Sequence, residues 1–318
     1  MEKIKALILE KIKNHNKIIC LRHVSPDGDA YGSAFGLAQF IKDNYPGKKV
    51  LVDGQANPYL NFLATPDVVH NQDYEGALII ITDTANEERI DSPYWKLGKT
   101  VIKIDHHPNK TPFGDIQWIE DERVSASEMV AELLLESNLI VSPQTAKLLL
   151  TGIITDSNRY MYKKTSPQTL MLASQLLAKG VDAQAIYQNL YNETWQDAKL
   201  KNYLFAKIEY ASLGIAYIKV NHDMLVEHKM KYEQVKSWVN LMSSIKEFKI
   251  WVMFVENKAE NYINVSIRSS KYIINEVADK HHGGGHQLAA GAKIYQWDDV
   301  KKVIRDLEEV IRNNKIIE

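Results

Sequence analysis

The chemistry in this chain lies in aspartates and histidines that end apolar runs. One run leads into His23-Val-Ser-Pro-Asp27-Gly-Asp29, a second into Thr82-Asp83-Thr84, and a third into Asp105-His106-His107. A further carboxylate, Asp156, closes the small and apolar stretch from Leu148 to Thr155. Burying such a group is costly unless it is paired or bound to a metal. Hard carboxylates mixed with imidazoles suit a divalent ion that accepts oxygen and nitrogen, manganese first, with cobalt or magnesium as substitutes. Zinc on cysteine is excluded, because Cys20 is the single cysteine and sits in an apolar run. The donors are too many for one ion that must also keep water. They suit two ions sharing a carboxylate, roughly 3.5–4 Å apart, which hold a hydroxide between them and clamp a phosphoryl oxygen.

Each motif alone has an ordinary explanation. Asp27 or Asp29 would cap a following helix, Asp83-Thr84 would be a turn, and Asp156 would cap what comes after it. A packing account does not expect ligand-type residues at several separate strand ends.

These residues meet only if the elements before them share one sheet. Lys17 to His23, Lys48 to Val52, Ala77 to Ile81 and Thr100 to Ile104 read as strands. Helical spacing covers Gly28 to Asn44, where Ala30, Ala34, Leu37, Ala38 and Ile41 recur every three or four residues, and then 125–137, 142–155 and 167–179. Apolar strands alternating with helices indicate a mainly parallel α/β sheet, whose ligands bind beyond the carboxyl ends of the strands. After Gly180 comes a polar helical connector. Then Ile215 to Val220, Lys249 to Glu256 and Tyr262 to Ile267 read as strands, and Ile274 to Asp279 and Asp298 to Asn313 as helices. The expected organisation is a catalytic domain over 1–183, a helical linker over 184–211 and a smaller α/β domain over 212–318.

Bulk properties agree. A length of 318 residues suits two domains. A net charge of -1 argues against a module that grips long duplex nucleic acid, which shows a basic excess. One cysteine fits a reducing cytosol. The stretch Met1 to Glu10 lacks the apolar core of a signal peptide, and no run approaches a membrane span. A cytoplasmic enzyme is expected.

A second set of candidates lies near the C-terminus, in His281-His282-Gly283-Gly284-Gly285-His286. Three glycines let the backbone approach a ligand and take up positive φ. Their successive N–H groups form an anion-binding nest, to which His286 adds a hydrogen bond. A flexible loop is the plain alternative. Arg268 follows a strand and suits a phosphate fork, with a surface salt bridge as its alternative. Trp195, Tyr203, Trp238 and Trp251 suit base stacking, though packing explains most of them.

Taken together, His23-x-x-x-Asp27-x-Asp29, Asp83, Asp105-His106-His107 and Asp156 resemble the four motifs of the DHH phosphoesterase superfamily. The Gly-Gly-Gly-His286 string with Arg268 resembles its DHHA1 domain. The resemblance spans nearly the whole chain, and the short two-domain form is similar to the bacterial nanoRNase and 3'-phosphoadenosine-5'-phosphate (pAp) phosphatase group. It implies that His23, Asp27 and Asp83 hold one manganese ion. Asp29, Asp83, His106 and Asp156 hold the other, with Asp83 bridging. It implies that Asp105 orients its neighbours, that His107 faces the substrate phosphate, and that Arg268, Gly283, Gly284, Gly285 and His286 hold the phosphate or nucleotide. Arg159 is a further candidate substrate contact. The family often has asparagine where this chain has Ser25, which puts a contact by that side chain in doubt.

The implied reaction is metal-assisted hydrolysis of a phosphate ester, with two domains closing over short or terminal substrates such as pAp and short RNA. A homodimer is compatible with the sequence. A RecJ-type exonuclease normally carries further domains, and a DHH-type pyrophosphatase has a different second domain. A cyclic-di-AMP or linear dinucleotide phosphodiesterase is a closer rival. A non-catalytic nucleotide-binding protein would have lost ligands that are all present here.

Overall fold

The apolar runs that end in aspartate and histidine form one sheet. In the computed structural model, which describes residues 2–317, β1 (Lys17–Leu21), β2 (Lys49–Val52), β3 (Leu78–Thr82), β4 (Thr100–Asp105) and β5 (Ile116–Ile119) run parallel in the order β2-β1-β3-β4-β5. Strand alternation divides the core. Ile18, Cys20, Leu78 and Ile80 face the larger cluster, while Ile19, Leu21, Ile79 and Ile81 face a smaller one with Tyr74 and Phe113. Burial on both faces is why these strands carry no polar alternation. The edge strand β5 was not expected from its sequence, since Ile-Gln-Trp-Ile is short and only part-buried.

Helices cover this sheet: α1 (Glu2–Asn14), α2 (Gly28–Asn44), α3 (Asn71–Tyr74), α4 (Ala126–Leu135), α5 (Pro143–Asp156), α6 (Pro167–Leu177) and α7 (Ala183–Tyr191). Ser125, Ser142 and Ser166 each accept a hydrogen bond from the backbone three residues on, which fixes where α4, α5 and α6 start. Proline at the first position of α5 and α6 reinforces this. The helices α2 and α5 approach closely through glycine. A Cβ on Gly32 would stand 2.6 Å from the Leu148 carbonyl oxygen and 2.9 Å from Gly152 Cα, and one on Gly152 would stand 2.0 Å from Ser127 Oγ of α4.

A second unit begins at Glu193, the first ending at Asn192. The segment 184–211 is therefore shared. Ile186 of α7 belongs to the first core, and Leu200 and Leu204 of α8 (Trp195–Phe205) belong to the second unit. The second unit contains β6 (Glu209–Ala211), β7 (Ile215–Val220), α9 (His222–Glu227), α10 (Tyr232–Ser237), β8 (Ile250–Asn257), β9 (Tyr262–Ser269), α11 (Asn275–Lys280), β10 (Gly284–His286), β11 (Ala289–Ile294) and α12 (Val300–Arg312). Its sheet has the order β10-β11-β9-β8-β7-β6 and is mixed, with only β7 and β8 paired in parallel. Trp238 and Trp251 are core residues, whereas Trp195 is exposed.

The glycine string differs from the expected loop. Residues 284–286 form the edge strand β10, paired antiparallel with β11. The glycines are required first by β11: a Cβ on Gly283 would lie 1.9 Å from the Gly291 carbonyl oxygen, and one on Gly285 would lie 2.8 Å from that of Ala289. Among the described residues, no helix is long and apolar enough to cross a membrane.

Gly152→Ala is expected to destabilise the first unit by about 1–3 kcal/mol in urea unfolding, because the contact with Ser127 is over-packed. Gly47→Ala, where an added Cβ meets nothing within 4 Å, is the matched control and should be near neutral.

Candidate active site

The sheet order sets the location. From β1 the chain passes out to β2 and then returns to β3 on the other side of β1. This reversal opens a crevice at the carboxyl ends of β1 and β3. His23 lies two residues past β1, Asp83 directly past β3, and Asp105 is the last residue of β4. Asp27 caps α2, its Oδ1 accepting from the Asp29 and Ala30 amides at 3.0 and 3.1 Å. The capping explanation for Asp27 thus holds for one oxygen, while its other oxygen, Oδ2, lies 3.8 Å from His23 Nε2. Asp156 ends α5 instead of capping a new helix. Ser25 and Asp83 take left-handed backbone, with φ of 55° and 50°. Such strain in non-glycine residues costs on the order of 1–3 kcal/mol each and collects at functional sites.

Asp83 is the centre of the constellation. Its Oδ2 lies 3.4 Å from His23 Nε2, and its Oδ1 lies 3.4 Å from His106 Nε2. His106 Nε2 also lies 3.3 Å from Asp156 and 3.9 Å from Asp29. Two donor groups result that could each hold a cation, His23 with Asp27 and Asp83, and Asp29 with His106 and Asp156. Asp83, His106 and His107 also converge. His107 Nδ1 is 2.8 Å from Asp105 Oδ1, and the His106 and His107 rings stand 4.6 Å apart.

The electrostatics fit a cation. Asp29 and Asp83 are almost fully buried. Burial and the neighbouring Asp83 and Asp156 charges push Asp29 well above the usual carboxylate range. Burial, with Asp83 and Asp27 close by, raises Asp156 to about 7. Asp156 also sits at a helix C-terminus, where the backbone dipole disfavours negative charge. Burial alone would lower both histidines and raise Asp83. The opposing charges outweigh it, so Asp83 is held below the usual range by His106 and His23. His23, facing Asp27 and Asp83, rises to about 10, and so does His106, facing Asp83, Asp29 and Asp156. Where no divalent ion binds, protons on the two Nε2 atoms do part of a cation's work.

Supporting groups fix these side chains. His23 Nδ1 donates to the Val24 carbonyl at 2.8 Å, and His106 Nδ1 lies 3.3 Å from the Arg123 carbonyl, so both rings turn Nε2 toward Asp83. Asp29 accepts from the Ala126 and Ser127 amides at 2.7 and 2.8 Å. The loop from β5 and the first turn of α4 that follows it therefore orient His106 and Asp29 together. The Arg123 side chain pairs with Glu120 at 2.7 Å, with Glu128 at 3.2 Å and with Glu132. Lys103 is fully buried behind Asp105, 3.4 Å from Oδ2 and over the Phe113 ring. Sequence reading missed both residues. A lysine inside the apolar strand Val-Ile-Lys-Ile-Asp was a usable signal for Lys103, whereas Arg123 acts through its backbone and leaves none.

The remaining candidates lie elsewhere. Arg159 is exposed, with its guanidinium 5.1 Å from the centre of the Tyr191 ring. It is the middle of three consecutive non-glycine residues with left-handed φ, Asn158, Arg159 and Tyr160. In the second unit, His286 pairs with Ala289, and Ala289 with Arg268, in one cross-strand row. Directly paired residues share a sheet face. Arg268 Nη1 donates to the Ile267 carbonyl at 2.9 Å.

Comparison with known proteins agrees with this geometry. Residues 17–153 match the DHH family, N-terminal domain, and residues 212–313 match the DHHA1 domain. A Bacillus subtilis (strain 168) protein named bifunctional oligoribonuclease and PAP phosphatase NrnA is 35% identical over 98% of this chain and 100% of its own. A Streptococcus mutans protein named as a probable enzyme of the same kind is 37% identical, over 96% and 98%. An exopolyphosphatase-related protein from Bacteroides fragilis has the same fold, with a TM-score of 0.89 over 99% of this chain and 97% of its own at 24% identity.

The raised imidazoles give a pH prediction. Their contribution to stability is full below the ordinary imidazole value of 6.5 and lost as pH rises through about 10. Asp156 acts in the same direction, since between 3.8 and about 7 the folded state holds a proton that the unfolded state does not. Protein treated with a chelator should lose thermal stability from neutral to alkaline pH, while its affinity for Mn2+ rises. Calorimetry in buffers of different ionisation enthalpy should show proton release on binding at pH 7.5. Binding without proton release would mean that the imidazoles are not displaced ligands.

Proposed function

Because the chain belongs to the DHH phosphoesterase family, and so is a phosphate-ester hydrolase, we propose that it hydrolyses short oligoribonucleotides and converts pAp to AMP with two manganese ions. The observation that carries this reading is the split of the Asp83 carboxylate, one oxygen toward His23 and the other toward His106. A single buried carboxylate with an imidazole on each oxygen suits a bridge between two cations. The names of the Bacillus and Streptococcus relatives support the substrate class.

Each residue has a part. His23, Asp27 and Asp83 would hold one ion, and Asp29, Asp83, His106 and Asp156 the other. Bound ions of this kind supply a nucleophile from water at neutral pH and draw charge from phosphoryl oxygens. Asp105 holds His107 at Nδ1, which supports a role for Nε2 toward the substrate phosphate. That contact strengthens as charge builds on the phosphoryl oxygens. Arg268 and His286, in one row of the second sheet, are the residues proposed to bind a substrate phosphate.

The deciding experiment is a parallel assay on pAp, short RNA, short DNA and cyclic dinucleotides with Mn2+. Wild-type protein is expected to prefer pAp and short RNA. Asp83→Asn should lose activity on every substrate by a factor of about 100 or more, together with calorimetrically measured Mn2+ binding. Wild-type turnover in that variant would sink the two-ion assignment.

The glycine string allows a second check. Gly285→Ala should destabilise the second unit, whereas Gly284, whose added Cβ would meet only Asp279 at 3.3 Å, should accept alanine without loss of stability. A raised KM for pAp in a stably folded Gly284→Ala protein is the expected outcome. An unchanged KM would remove β10 from the phosphate site.

A further inference from the structure

We infer that the segment from Arg159 to Lys164, directly after Asp156, is a single-strand subsite that binds the nucleotide beyond the scissile phosphate and selects oligonucleotides over mononucleotides. The inference rests on the proposed hydrolysis of short RNA and deepens it. Net charge across the chain is -1, yet residues 157–181 contain no aspartate or glutamate, and Arg159, Lys163 and Lys164 all fall within them. Between Arg159 and the two lysines lie Tyr160, Met161 and Tyr162. Cations along a backbone track, with aromatic faces between them, are what a flexible strand of any sequence requires.

The fold presents this segment in a fixed shape. The Tyr160 amide donates to Ser157 Oγ at 2.9 Å, and the Met161 and Tyr162 amides both donate to the Ser157 carbonyl, at 3.0 and 3.1 Å. The chain therefore turns back onto the end of α5, whose last residue is Asp156. Tyr160 packs against the core as the anchor. Met161 and Tyr162 are left 62% and 55% exposed, unusual for large apolar side chains that could have been buried. Lys164 reaches the Asp121 carbonyl at 2.6 Å, which holds the far end of the segment. Beside it, Tyr191 stacks near Tyr187 with ring centres 5.8 Å apart, and Arg159 lies over Tyr191. The left-handed run at 158–160 explains how one short stretch can send Tyr160 inward and the next two side chains outward. An ordinary solvated turn does not need three consecutive unfavourable residues.

A mononucleotide such as pAp is held by its phosphates and has no nucleotide to place on this surface, so the two substrate types should separate. Tyr162→Ala is expected to raise KM for a trinucleotide RNA about tenfold, with KM for pAp within about twofold of wild type. Tyr162→Phe should restore the trinucleotide value, since stacking uses the ring. Lys163→Ala should flatten the dependence of trinucleotide KM on salt concentration and leave that of pAp unchanged. Equal effects on both substrates, or an unchanged trinucleotide KM in Tyr162→Ala, would overturn the inference alone. Wild-type protein that hydrolyses neither substrate would overturn the proposed function and this inference with it.

Discussion

The rest of the first unit is arranged around a carboxylate that cannot be buried alone. Asp83 stands at the end of an all-apolar strand, in left-handed backbone, with an imidazole on each of its oxygens. Removing a carboxylate from water costs several kcal/mol unless opposite charge replaces the solvent. Here it is replaced on two sides, and the two replacements are independent. His23 arrives from β1 and His106 from β4, the neighbours of β3 on either side. Only a parallel sheet in this strand order delivers both to the same end.

Asp29 and Asp156 come from helices, so their positions depend on packing. Asp29 opens α2 and Asp156 closes α5, and the two helices touch through Gly32 and Gly152. Larger residues there would separate the helices and with them the two carboxylates. A Cβ on Gly152 would also stand 2.9 Å from Asp29 Oδ1 itself. The first turn of α4 gives Asp29 its two amide donors, and the loop just before it holds the His106 ring through the Arg123 carbonyl. Stability and site geometry are thus set by the same contacts.

Much of this was legible in the sequence. The strands that carry His23, Asp83 and Asp105, and the helix over Gly28 to Asn44, follow from apolar runs and helical spacing that burial on both faces makes plain. The converging side chains were legible as a set, because aspartate and histidine at strand ends have few structural reasons to be there. What sequence reading missed is what its signals do not encode. The strand β5 is a half-buried edge, and β10 and β11 are built from glycine and alanine, which carry little strand preference. The string 283–285 allows a flexible loop as one reading, yet Gly283 and Gly285 are required by the close approach of β11. Arg123 serves through a carbonyl that every residue type has.

Charge balance shows why the metal centre cannot by itself account for substrate binding. With ions bound, Asp27, Asp29, Asp83 and Asp156 would bring four negative charges to the two donor groups. Two divalent ions would offset these charges and no more, and the histidine ligands must be neutral to bind them. A centre loaded in this way attracts a phosphate through the open coordination of its ions, while the net field around it stays weak. On the proposed two-ion reading, discrimination among phosphate esters would fall to groups outside the ligand set. The groups proposed for that part in the first unit are His107 on its Asp105 support and the basic turn after Asp156, and in the second unit Arg268 and His286. A match in the metal-ligating residues therefore fixes the reaction type more firmly than the substrate.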